Sequence, residues 1–400
     1  MGQSTRTWVP ITIAVLAGSI ATALVPQTVP LLGAIARAFD VSVAGLGWVV
    51  SFPTLACAIG ALAFGVVVDR LGDVRLLLVG LALVIAGDAG VSLAPSLNGL
   101  YAARLFQGFG YVCISVAAPT FIQRTTTGDT RRAAMAFWSA HTPIGFAAAV
   151  YVGAQLIAAG LSWRWGFMPH ALAALVIGCA VLSLRRASSA AAVSRSAGTW
   201  RVLASGRAHS VAIGALAAGM LQVSVMSLVP ALLAERFGYS GPQSALVIVF
   251  AMLAAWAGAM LIVATSLRSV PGLALPLSAA AAAFLGFVTV SLTTTLPLTL
   301  ACVILFAATI GAANALVWSL LPAAVPTPEA SGATAGLVTQ GSFLGVLFGP
   351  PTFFAIRHGS PLYLALLAAA LALLMMGALI AHYSATRNRL GGAVPAANPH

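Results

Sequence analysis

Gly65-Val-Val-Val-Asp69-Arg70-Leu-Gly72-Asp73-Val-Arg75 is the stretch on which the reading of this chain turns. It places opposite charges side by side in a chain with only 6% charged residues, and it separates two apolar runs, Val43 to Val68 and Leu76 to Ala94. Each run is long enough to cross a hydrocarbon core of about 30 Å, so the segment between them reads as a tight turn at a membrane face. Glycine there permits close packing, and the charges stay in water.

Working outward, the same pattern recurs along the chain. Before this turn lies Trp8 to Ile35, and after it come Leu97 to Ile122, Ala133 to Gly160 and Phe167 to Leu184. A second set runs Val211 to Leu233, Gln243 to Leu267, Leu273 to Leu292, Leu296 to Leu321, Gly332 to Ile356 and Leu362 to Tyr383. The expectation is an all-α integral membrane protein of twelve spans. Residues 1–184 would form one six-helix bundle, the Ser-, Ala- and Arg-rich stretch 185–209 a linker, and 210–400 a second bundle with a short tail. The first run is too long for a signal-peptide core and is read as a retained helix. A mean hydropathy of +1.03 with 60% hydrophobic residues excludes an ordinary soluble domain.

All 19 basic residues are arginine, and their placement sets orientation. Fourteen fall on the side of the N-terminus, from Arg6 and Arg70 to Arg387 and Arg389; only Arg37, Arg164, Arg236 and Arg357 fall opposite, and Arg104 lies inside a run. Short cytoplasmic loops hold the excess of basic residues, so both termini are expected in the cytoplasm, the host membrane being a bacterial inner membrane. The net charge of +12 is thereby assigned to topology rather than to nucleic acid, for no basic stripe exists. Cys57, Cys113, Cys179 and Cys302 lie singly in apolar runs with no metal-ligand spacing, so no metal and no cofactor are expected. A weak repeat at an offset of about 200 residues supports two related halves: Val29-Pro30-Leu31-Leu32 with Phe39 returns as Val229-Pro230-Ala231-Leu232 with Phe237, and Leu105-Phe106 as Leu305-Phe306.

The Gly65 to Arg75 loop resembles the signature loop of the major facilitator superfamily, G-x-x-x-D-R/K-x-G-R/K. Gly65, Asp69, Arg70 and Gly72 match, while Asp73 stands where a basic residue is usual. Arg104-Leu-Phe-Gln107-Gly108-Phe-Gly110 is similar to a second motif of that family, R-x-x-Q-G-x-G. The resemblance implies two six-helix bundles rocking about a central site, with Gly65, Asp69, Arg70, Gly72 and Arg75 as a conformational latch. Arg70 and Arg75 have a plainer reading as topology determinants.

Arg104 is the strongest single candidate, since an arginine inside a span costs at least about 2.5 kcal/mol and needs a cavity, a partner or helix carbonyls. Asp88 and Arg104 flank the turn near Ser96 at equal spacing, so an antiparallel hairpin brings them to similar depth, as an ion pair or facing apart. Asp88, the only acidic residue well inside a span, is the leading carboxylate for proton coupling. The resemblance places Gln27, Gln107, Gln222 and Asn314 on helices around the cavity; His141 is read either as a group that titrates near neutral pH or, more commonly for a lone histidine in a helix, as a packing residue. Gln155, His170, Trp318 and Gln340 are read with the bulk of the polar residues as interhelical hydrogen-bonding groups. Pro143 is the one residue in register with the superfamily's antiporter motif in the fifth span, and Gly341, Gly345, Gly349 and Pro350 form a small-residue stripe for helix packing.

The function expected is secondary transport by alternating access, as proton-coupled export of a small, partly apolar organic molecule by a monomer in contact with lipid. Uptake or exchange of a small anion on Arg104 is the alternative, and a membrane sensor that binds without transporting is a third. The chain has no HExxH, paired intramembrane aspartates or GxS motif with a base, which argues against an intramembrane enzyme.

Overall fold

Where each span breaks is set by proline. The computed structural model describes residues 2–41, 43–184, 197–266, 294–327 and 330–356, with Leu367, Ala370, Leu371 and Leu374. The expected spans Leu273 to Leu292 and Leu362 to Tyr383 lie outside the described residues, the latter except for those four positions. Helix α1 (Gly2–Ala23) gives way to a 3-10 turn at Pro26–Leu31 and resumes as α2 (Leu32–Phe39). The second span is α3 (Val43–Ser51), a 3-10 turn Phe52–Thr54 around Pro53, and α4 (Leu55–Leu71). Proline lacks an N–H, so the carbonyl four residues before it loses its helical donor. The single run expected over 133–160 is likewise two helices, α7 (Gly128–Trp138) and α8 (His141–Ala158), with Pro143 in the first turn of the second, where an N–H is not needed.

The remaining elements are α5 (Asp73–Leu93), α6 (Leu97–Thr125), a 3-10 turn Trp163–Phe167 leading into α9 (Met168–Ser183), and the short α10 (Ala197–Leu203). They are followed by α11 (Gly206–Phe237), α12 (Gly241–Ser266), α13 (Leu296–Ser319), α14 (Leu321–Ala324) and α15 (Ser331–Ile356). Ser96 and Ser205 cap α6 and α11, their hydroxyls accepting from Gly99 N (3.2 Å) and Ala208 N (3.3 Å). The second cap starts α11 five residues earlier than its apolar run, so Arg207 and His209 sit on a helix. Among the described residues nine helical segments are long and apolar enough to cross a membrane. The 26 residues of α15 make a tenth long helix, its hydropathy diluted by glycine, serine, threonine and Pro350-Pro351.

Within the first half α5 packs on α6 and α9, and α1 on α8 and α6; within the second, α11 packs on α15 and α12 on α13. The halves meet where α15 lies along α3 and α4, and where α12 lies against α7 and α8. A cavity remains between these two seams. The protein is an integral membrane protein, and Leu172, Leu175, Val176, Phe250 and Leu253 on α9 and α12 present apolar surface outward.

Candidate functional site

Arg104 lies fully buried in α6 and spends its donors on the backbone left open by the helix breaks. Nη1 donates to Leu24 O (2.8 Å) and Gln107 Oε1 (2.9 Å); Nη2 donates to Val50 O (3.1 Å) and Val49 O (3.2 Å). Val49 is four residues before Pro53, so its carbonyl has no helical donor, and Leu24 sits where α1 changes to a 3-10 turn. The guanidinium therefore ties the first two spans to the fourth. Gln107 faces both ways, its oxygen accepting from Arg104 and its Nε2 donating to Asp88 Oδ1 (2.6 Å). Asp88 and Arg104 are thus linked through an amide rather than paired directly. Both are 0% exposed.

The fourth member of this network is His170 of α9. Its Nδ1 lies 2.7 Å from Asp88 Oδ2 and its Nε2 lies 2.8 Å from Ile20 O. Sequence reasoning left His170 among the interhelical hydrogen-bonding residues. His170 shares the depth of Asp88 as Arg104 does, since Asp88 is about a turn from the end of α5 and His170 in the first turn of α9.

The cavity between the halves has a volume of about 60 Å³. From the first half it is lined by Thr22, Tyr111, Ser115, Trp138, His141 and Phe146; from the second by Gln222, Asn314, Trp318, Thr339, Ser342 and Phe343. Two edge-on ring pairs cross it, Tyr111 with Phe343 (centroids 4.5 Å) and Trp138 with Trp318 (6.4 Å). His141 stacks on Trp138 at 4.0 Å and donates from Nδ1 to Trp138 O (2.6 Å), which leaves Nε2 as an acceptor for Thr142 Oγ1 at 3.3 Å. Asn314 Nδ2 donates to Gln222 Oε1 (2.5 Å), joining α13 to α11. Of the expected cavity residues, Gln222, Asn314 and His141 line it; Gln107 and Asp88 belong to the buried network. Gln27 lines a separate crevice among α1, α8 and α9, its amide without a partner among the described residues.

On the face carrying the 65–75 loop, the two motif glycines do different jobs. Gly72 joins α4 to α5 at φ 85°, a left-handed conformation with open space around it. Gly65 is a close approach: a Cβ there would lie 3.0 Å from Ala333 Cα, across the seam with α15. The Asp69 carboxylate abuts Gly332 at the start of α15 and forms an ion pair with Arg124 at the end of α6. Arg124 also lies 3.8 Å from Asp73, whose carboxylate accepts from Val74 N (2.7 Å) at the start of α5. The basic partner in this loop is therefore Arg124; Arg70 and Arg75 are exposed. Gly341, Gly345 and Gly349 form the surface on which α15 meets α11, where a Cβ on Gly345 would lie 2.7 Å from Met220 N. Pro350 is buried, and its neighbour Pro351 meets Gly47 of α3 across the opposite end of the seam. The halves touch at both ends of the cavity.

Comparison with known proteins agrees with this architecture. The sequence profile of the Major Facilitator Superfamily matches residues 11–350. Over 151 residues the chain is 30% identical to the multidrug resistance protein Stp of Mycobacterium tuberculosis, covering 38% of this chain and 27% of that protein. Over 193 residues it is 28% identical to the tetracenomycin C resistance and export protein of Streptomyces glaucescens, covering 47% and 36%. The matched stretches thus span only about a third or less of those relatives. The fold is like that of the proton:xylose symporter XylE, with a TM-score of 0.79 over 93% of this chain and 95% of that one at 14% identity.

Proposed function

The chain belongs to the major facilitator superfamily, and on that premise we propose that it is a secondary transporter exporting small, uncharged, partly aromatic molecules in exchange for protons. The observation that carries this reading is the cavity lining. Both halves contribute to it, its walls are aromatic rings, hydroxyls and two amides, and no charged side chain is among the described residues that line it. Such a surface stacks a flat ring and orients it by a few hydrogen bonds. Its small volume fits the halves being closed at both ends, and alternating access would open one seam at a time. Asp69, Gly65 and Arg124 would latch the α4–α15 end of that seam, and the arginine bias supports a cytoplasmic position for that face.

Export rather than uptake is supported by the names of the two relatives, one a multidrug resistance protein and the other a resistance and export protein; Asp88 would supply an interior carboxylate for the coupling proton in either direction. The anion alternative needs a cation in the cavity. Arg104 is enclosed behind α1 and α3 with Nη1 and Nη2 committed, so it favours the structural role. In inverted membrane vesicles acidified inside, radiolabelled chloramphenicol, an uncharged aromatic bearing hydroxyls, is expected to accumulate and to be lost when nigericin collapses the pH gradient. Benzoate exchange that depends on Arg104, with no chloramphenicol accumulation, would overturn the reading in favour of the anion exchanger.

A further inference from the structure

We propose that Asp88 and His170 together are the coupling-proton site, holding one shared proton between Asp88 Oδ2 and His170 Nδ1 in the conformation described. This rests on the transport reading for its role, but the site itself follows from counting donors. The Ile20 carbonyl can only accept, so His170 Nε2, 2.8 Å away, carries a hydrogen and donates it. A neutral imidazole protonated at Nε2 has a lone pair at Nδ1. That lone pair would then face a carboxylate oxygen at 2.7 Å, acceptor against acceptor. One more proton must stand between them, whether written as imidazolium and carboxylate or as imidazole and carboxylic acid. The other Asp88 oxygen is already used by Gln107 Nε2.

The helix break supplies the acceptor. Leu24 N turns to Ala21 O (3.2 Å) as α1 ends, which takes from Ile20 O its ordinary helical donor and leaves that oxygen for His170. Among the described residues, the charged groups around the pair are few. Arg104 reaches it from α6 through Gln107; Arg164, in the turn before α9, donates from Nη1 to Ser92 O (2.8 Å) beyond it on α5. The packed parts of α1 and α3 bring backbone carbonyls. Without the shared proton, Asp88 and Arg104 balance; with it, the network holds one net positive charge, at the edge where half-buried His170 borders the crevice among α1, α8 and α9. Burying a net charge is costly, so the proton is held reversibly rather than trapped.

Loss of the proton breaks a contact whichever tautomer results. If the remaining hydrogen stays on Nε2, the Nδ1 lone pair repels Asp88 and loosens α9 from α5; if it moves to Nδ1, the Nε2 lone pair repels Ile20 O and loosens α9 from α1. Thr22 and Val25 of the α1 break line the substrate cavity. Proton release is thereby tied to the wall that holds substrate, with His170 acting through α1 rather than touching substrate.

The test reads the protein itself. In liposomes containing full-length protein labelled with 15N-histidine, one histidine is expected to show both ring nitrogens protonated or sharing a proton at neutral pH, and to become neutral on alkalinisation. The signal is assigned by its absence in His170→Gln or, if that variant does not fold, by its short distance to 13C-labelled aspartate carboxylate. Asp88→Asn should hold the same histidine neutral throughout. In parallel, His170→Gln should lose chloramphenicol accumulation at least tenfold while keeping gradient-free exchange within about threefold. A His170 that stays a single neutral tautomer from pH 5 to 9, with accumulation still proton-driven in the wild type, would overturn this assignment and leave the transport reading standing. A titrating His170 in a protein that moves chloramphenicol without protons would overturn both the coupling role and the antiport.

Discussion

The two halves share a packing rule and differ in what they bury. Gly145 of α8 and Gly345 of α15 lie about 200 residues apart, and each lets its helix close on the first helix of its own half: a Cβ would sit 3.1 Å from Ala23 N in one case and 2.7 Å from Met220 N in the other. The first half adds an enclosed polar network of Arg104, Gln107, Asp88 and His170. At the same offset the second half carries Ile304, Ala307, Val288 and Ala370. Among the described residues the stapling of broken helices belongs to the first half, and the proposed proton handling lies there with it. Among the described residues the side-chain amide pair in the cavity, Gln222 with Asn314, belongs to the second half.

Substitutions that exchange the halves' characters should break this contrast in a definite order. The largest effect is expected for Arg104→Ala, which strands the carbonyls of Leu24, Val49 and Val50; at about 1–3 kcal/mol per unsatisfied buried group, thermal unfolding in detergent should fall by more than ten degrees. Ile304→Ala at the matching position of the second half is expected to cost only about 1 kcal/mol. Gly345→Val comes next: the added branch drives α15 off α11, and size-exclusion profiles should show a sharply reduced monodisperse yield. Asp69→Asn removes the pairing with Arg124 but leaves a partly exposed site, so stability should change by no more than about 1 kcal/mol while the rate of exchange drops about tenfold, as a latch requires. Gln222→Ala should cost about 0.6 kcal/mol in unfolding and show itself chiefly as weaker chloramphenicol binding by tryptophan quenching. Smallest of all, Arg75→Ala should stay within about 0.5 kcal/mol and near wild-type rate, because the side chain is exposed.

Residue patterns made the spans, the turn at Gly72 and the glycine stripe from Gly341 to Gly349 legible, because length, hydropathy and small-residue spacing are local. Ten of the twelve apolar runs fall on described helices or on broken ones. The breaks were harder to place. Pro26 and Pro53 were visible, but that their freed carbonyls converge on one arginine is a tertiary fact that no spacing contains. Depth along a hairpin brought Asp88 and Arg104 to one level; the angle around each helix, which put Gln107 between them and turned Gln27 away from the cavity, is not carried by position along the axis. Arg124, the basic partner of Asp69 in the proposed latch, lies more than fifty residues away along the chain, and the adjacent arginines of the loop look more suitable in sequence.

The central claim is that protons bound at the first half's network drive an uncharged substrate through the cavity between the halves. It is tested most directly by the internal pH of sealed liposomes carrying the purified protein as chloramphenicol is added, with Asp88→Asn beside the wild type and empty liposomes for leak. The account predicts chloramphenicol-dependent proton movement in the wild type and none in Asp88→Asn. Proton movement that survives in Asp88→Asn, or chloramphenicol flux with no proton movement in the wild type, would contradict it.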